Sequence, residues 1–219
     1  MFQNGEEVNM STDITTEVQQ PTQVVEAGFN NAEGFALAQR VATALSKSTL
    51  IPKDYQNNLP NCLVALNMAH RLKAEPLMVM QNLYVVHGRP AWSSQFLIAT
   101  ANKCGKFSPL RYKFTGEKGK DTYGCICYAT CLEDGEVLES TEITIAMAKA
   151  EGWYSKTGSK WQTMPEQMLR YRSAAFFVRA YAPEISLGIS TEDEARDIID
   201  GEVVRPQGKL VAKIQEDLL

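Results

Sequence analysis

Between positions 149 and 179 the chain interleaves planar side chains with cations. Trp153, Tyr154 and Trp161 stand among Lys149, Lys156 and Lys160. A ring beside an ammonium group is what stacking on a base and neutralising a phosphate both require. Further on, Arg172, Phe176 and Arg179 fall at i, i+4 and i+7, so a helix here would carry one stripe with an aromatic between two guanidiniums. No acid stands between Glu166 and Glu184 to pair with these arginines locally, which favours phosphate contacts over core ion pairs. Trp153 and Phe177 read as core rather than contact.

Covalent chemistry finds less support in the residue types. The segment from Gly152 to Lys160 resembles a phosphate loop, but five residues separate Gly152 from Gly158, and Ser159 precedes Lys160, so the spacing fails and ATP use is not expected. Cys125, Cys127 and Cys131 share parity on one expected strand and lack the turn that would wrap ligands around zinc, so they read as buried free thiols. His70 and His87 have no neighbouring pattern of a triad or metal site. Glu117, Asp121, Glu133, Asp134 and Glu142 lie around strands, where two-metal nucleases place carboxylates, and a metal-dependent DNA nuclease stays open as an alternative. Most of these acids fall in turns, where solvated carboxylates are the ordinary case. The favoured expectation is therefore no catalytic residue, no metal and no cofactor.

Charge is distributed unevenly around this region. Residues 1–39 carry six acids and no Lys or Arg, residues 40–181 carry eighteen bases and eleven acids, and residues 182–219 carry four bases and nine acids. A net charge of −4 thus averages a basic middle with two acidic ends, and the middle is what a polyanion would meet. No apolar run reaches the length of a membrane span, and the first residues, MFQNGEEVNMSTD, lack the pattern of a secretory signal. A cytoplasmic protein with five reduced cysteines is expected.

The elements that must position these side chains follow from periodicity. Residues 1–29 are polar and acidic without a helical pattern and read as a disordered arm; 30–190 reads as the core domain, and 191–219 as a short acidic helix and tail. Asn30 with Glu33 suggests a capping box for a first helix, and Pro60 opens a second with Leu63, Leu66, Ala69 and Leu72 on one face. Tyr84 to Trp92 reads as a small hairpin turning at His87 and Gly88, and Ser93 or Ser94 caps a helix that runs to Cys104, with Gly105 as its terminator. From Leu110 the period becomes two: Leu110, Tyr112 and Phe114 face one way, and Arg111 and Lys113 the other. Strands over 122–132 and 137–145 complete a three-stranded antiparallel meander, and Thr163, Pro165 and Glu166 open a long helix to about Tyr181. Thr191 with Glu194 caps a last short helix. The fold class expected is α+β, a β-β-β-α core with flanking helices and a hairpin.

Three segments in succession, LPNCLVALNMAHRLKAEPLM, QNLYVVHGRPAWSSQFLIATANKCGKF and MAKAEGWYSKTGSKWQTMPEQMLRYRSAAFFVRAYAPE, resemble the core of the RecT/Redβ superfamily of phage single-strand annealing proteins, in its RecT-like branch. The resemblance covers about residues 55–190. It implies annealing of complementary single-stranded DNA without ATP in phage-type recombination. It also implies assembly into rings or helical filaments and action beside a 5′ to 3′ exonuclease. In that family the DNA lies in a basic groove between the sheet region and the core helix, which here implies Lys103, Arg111, Lys113, Arg170, Arg172 and Arg179. A passive single-strand binder is the further alternative. The chain is shorter than many members at its carboxyl end, which leaves a partner contact there in doubt.

Overall fold

The computed structural model describes residues 27–197. The arm expected over 1–29 lies almost wholly outside the described residues, as does the tail beyond 197.

Helix α1 (Ala32–Ser46) is capped by Asn31, whose side chain accepts from the Gly34 N–H at 2.6 Å, one residue later than the expected Asn30. Its buried stripe is Gly34, Ala38, Ala42 and Ser46, small residues spaced by four, while Phe35 is left exposed. Such a stripe lets a neighbouring helix approach closely. That neighbour is α2 (Leu59–Leu72), with Pro60 in its first turn and Asn58 as its cap. It ends at Lys73 in the left-handed conformation. A short helix not expected from the sequence, α3 (Pro76–Asn82), leads into β1 (Leu83–Val86) and β2 (Arg89–Trp92). His87 and Gly88 both take positive φ, the two-residue turn that matches the twist of a hairpin. Ser93 caps α4 (Ser94–Lys103) by accepting from the Phe96 N–H. Ala42, Tyr55, Cys62, Leu66, Met80 and Trp92 form the core beneath these elements.

The second sheet is antiparallel and contains β3 (Arg111–Thr115), β4 (Gly124–Thr130), β5 (Val137–Glu139) and β6 (Ile143–Thr144). The third strand expected over 137–145 is in fact two pieces, β5 and β6, both paired with β4. Tyr128 pairs with Glu139 and Cys125 with Ile143, so four steps on one side face three on the other and one residue is extra. That is a β-bulge. The gap is bridged by Ser140, whose hydroxyl accepts from the Cys127 N–H at 3.0 Å. Leu138 packs inward opposite Ala129, and Ile143 packs inward opposite Cys125, although their numbers differ in parity.

After α5 (Ile145–Ala150) and the single turn α6 (Lys160–Thr163), the long helix α7 (Pro165–Tyr181) crosses the inner face of the sheet. Thr163 does not cap it: the residue is taken up in α6, and Met164 joins the two helices without a side-chain cap. Leu97, Phe107, Cys127, Ala174, Phe177 and Val178 pack at one end of the α7–sheet contact, and Cys125, Ile143, Trp161, Met168 and Leu169 at the other. The chain closes with α8 (Pro183–Ser186) and α9 (Glu192–Asp197). Thr191 and Glu194 form the expected capping box of α9, with Thr191 N–H donating to Glu194 Oε2 at 3.0 Å and Glu194 N–H to Thr191 Oγ1 at 3.3 Å. The fold is α+β, with helices around antiparallel sheets.

Candidate nucleic-acid interface

Alternation along β3 places Tyr112 and Phe114 on the α7 side and leaves Arg111 and Lys113 exposed on the other. In an antiparallel pair, residues directly opposite project from the same face. Arg111 is opposite Tyr128, which is opposite Glu139, and Lys113 is opposite Ile126. The outer sheet face thus carries two cations beside a half-buried tyrosine. Tyr128 was not among the expected site residues. Its signal was available: if Cys125 and Cys127 point inward, Ile126 and Tyr128 must point outward. Among the described residues, none forms an ion pair with Arg111, Lys113 or Lys103, and Lys103 is exposed in the last turn of α4.

The remaining expected residues belong to α7, which packs on the inner sheet face, and to α5, α6 and the loop between them. Arg170 is half-buried, 5.0 Å above the Phe114 ring. Lys149 reaches Asp121 at 2.5 Å and lies over the Tyr154 ring. Arg172 is only 5 % exposed, stacked 3.9 Å from Trp153 and paired with Asp197. Burial pushes its guanidinium below the usual arginine range, with Glu194, Asp197 and Asp193 pulling the other way. The same burial raises the Asp197 carboxyl against the pull of Arg172. Arg179 lies 5.2 Å from the Phe176 ring and pairs with Glu194, which is buried. Lys160 stands 3.9 Å from Asp193, and Lys156 donates to the Arg196 carbonyl at 2.6 Å. Trp161 is 1 % exposed and donates its indole N–H to Asp197.

No acid pairs with Arg172 or Arg179 from within α7, as expected, but the inference that they stay out of ion pairs does not hold. Their partners come from α9, folded back from beyond the end of α7. Trp161 is packed in the core, so its ring faces side chains rather than solvent. Trp153, expected as core, is half-buried as the lid over Arg172. The structure therefore gathers Lys156, Lys160, Trp161, Arg172, Phe176 and Arg179 around α9, and leaves Arg111, Lys113 and Lys103 apart from them.

The strand carboxylates do not converge. Glu117 pairs with Lys120, Asp121 with Lys149, and Glu142 accepts from Thr115. Among the described residues, no group of three or more His, Cys, Asp and Glu side chains is placed to hold a metal ion.

The family model described as RecT family matches residues 39–206. The chain belongs to the RecT family. Among curated proteins and solved structures, none matches it. RecT family membership makes it a phage-type recombination protein of the DNA-binding, single-strand annealing class, whose members are in general not catalytic enzymes. The match runs from within α1 to beyond α9, so both cationic regions lie inside it. Among the described residues, no helix is long and apolar enough to cross a membrane.

Proposed function

We propose that the protein anneals complementary DNA strands without ATP. It neutralises their phosphates with arginine and lysine and holds the bases unstacked for pairing. The observation that carries this reading is the RecT family match over most of the chain. The exposed cations of β3 beside Tyr128 support a place for the strand. Pairing two strands needs mutual repulsion removed and Watson–Crick edges displayed, and neither step needs a general base. Lys103, Arg111, Lys113 and Arg170 serve as phosphate contacts in the protein as folded, and Lys149 does so by exchanging the exposed Asp121 for a phosphate. Lys156, Lys160, Trp161, Arg172, Phe176 and Arg179 serve once their α9 partners give way. The working unit is a cytoplasmic homo-oligomer, a ring or helical filament, supplied with single strands by a 5′ to 3′ exonuclease. Its annealing core is residues 30–190, with acidic ends at 1–29 and 191–219.

The deciding experiment mixes pure protein with complementary labelled oligonucleotides in buffer without nucleotide. Faster duplex formation than in the protein-free control is expected. A requirement for ATP would sink the mechanism, strand cleavage dependent on Mg²⁺ would replace it with the nuclease reading, and protection without faster pairing would reduce it to passive binding.

A further inference from the structure

Helix α9 carries Glu192, Asp193, Glu194 and Asp197 against a single arginine, Arg196. It lies across the cations of α6, α7 and the loop before them. Asp197 holds Arg172 and accepts from the Trp161 indole, Glu194 holds Arg179, Asp193 faces Lys160, and the Arg196 carbonyl accepts from Lys156. Carboxylate and carbonyl oxygens thus occupy the donors that phosphate oxygens would use. Two clefts flank the helix. One, of about 490 Å³, is lined by Lys156, Lys160, Trp161 and Asp193, and the other, of about 400 Å³, by Trp153, Arg172, Phe176, Arg179 and Glu194. Asp197 lines both. Lifting the Asp197 end of α9 would join them into one trough lined by four cations, the Trp153 and Phe176 rings and the indole N–H of Trp161, the pairing of cation and ring that single-strand binding uses.

The two ends of α9 are held differently. At its start, Thr191 is buried, bridged to Trp92 and closed into the capping box, and the Trp92 N–H donates to the Ser190 carbonyl at 2.9 Å. Toward its end, the described contacts to the core are the ion pair of Asp197 and the Trp161 hydrogen bond to the same carboxylate. Breaking a buried pair is costly when one charge is left alone. Exchanging its carboxylate for a phosphate leaves no charge alone.

We propose that α9 is an autoinhibitory strap, an internal stand-in for the DNA backbone that covers the α7 cations and is displaced by a single strand. The inference rests on the proposed single-strand binding. Linkage makes the effect reciprocal: the factor by which the strap weakens DNA is the factor by which DNA loosens the strap.

The test uses the full chain and an oligothymidylate strand. Hydrogen exchange with and without the strand should show the α9 amides exchanging at least about fivefold faster in the complex, while those of β4 stay protected. Asp197→Asn should raise affinity for the strand by about fivefold or more at fixed salt. Asp193→Asn keeps an amide oxygen to accept from the Ser94 hydroxyl and removes only the charge facing Lys160, so it should raise affinity in the same direction with folding intact even if Asp197→Asn is poorly folded. Unchanged affinity in folded Asp193→Asn, with α9 equally or better protected in the complex, would make α9 a fixed wall and overturn the strap. A folded wild-type protein that binds no strand would overturn the single-strand reading itself, and the strap with it.

Discussion

Arg172 and Lys113 carry the same charge into opposite surroundings, and their substitutions should separate accordingly. Arg172→Ala leaves Asp197 and two indole rings around a void, so a loss of about 3–5 kcal/mol is expected, seen as a lower denaturation midpoint. Arg111→Ala and Lys113→Ala should leave the melting temperature unchanged, because both side chains are exposed. Each should weaken single-strand binding alike for all sequences and lower the salt slope by about 0.7. An unchanged slope would move the strand off the outer sheet face. The cysteines allow a second check at this scale. Cys62, Cys125 and Cys127 are buried, whereas Cys104 and Cys131 are partly exposed. A thiol reagent should therefore titrate the last two in the native protein and all five only after unfolding. Burial pushes the Cys127 thiol from an ordinary value of 9.0 up to about 12, with Cys125 adding to the rise. The unfolded chain gives up this proton first, so stability is full below pH 9 and falls between about pH 9 and 12, at up to about 1.4 kcal/mol per pH unit for each such group. Cys62, Cys125, Tyr55 and Tyr112 are raised by burial too and act with the same sign. Cys127→Ala should make the alkaline limb of a stability–pH curve shallower.

At the scale of elements, the strand alternation at Leu110 to Phe114, the hairpin turn, the Ser93 cap and the Thr191 capping box were legible because each rests on neighbours in sequence. The third strand was not, because the bulge at Ser140 to Glu142 resets parity: Leu138 and Ile143 look outward and inward in turn on paper, and both face the core. The partners of Arg172 and Arg179 were hidden for a related reason. Pairing was sought along α7, whereas the acids arrive from α9, and a docking geometry has no local pattern. The surroundings of Trp161 were hidden too, because a planar ring beside lysines reads the same whether it meets a base or lies against Trp153. The turn between β3 and β4 yields a further prediction. Gly116 has φ of +66°, and a Cβ there would lie 1.9 Å from the Thr122 carbonyl oxygen. Gly119, with φ of +89°, would meet nothing within 4 Å. Gly119→Ala should cost about 1–3 kcal/mol from the left-handed backbone alone. Gly116→Ala should cost more, because the turn must also open, and a thermal melt of the two variants ranks them.

For the molecule as a whole, charge is sorted twice. It is sorted along the chain, into a basic middle and acidic ends, and again in space, where the first acids after α8 fold back onto the cations of α6 and α7. A summed charge of −4 conceals both arrangements. The same folding-back has an optical consequence. The chain has three tryptophans, and each reports on the segment around α9: Trp92 through its bridge to Thr191, Trp153 through its stacking on Arg172, and Trp161 through its hydrogen bond to Asp197. Two of the three emitters therefore sit at the Arg172–Asp197 contact. Movement of the Asp197 end would let water reach Trp153 and Trp161 and leave Trp92 as the steady background, so the unlabelled protein carries its own fluorescent gauge of whether that helix is seated.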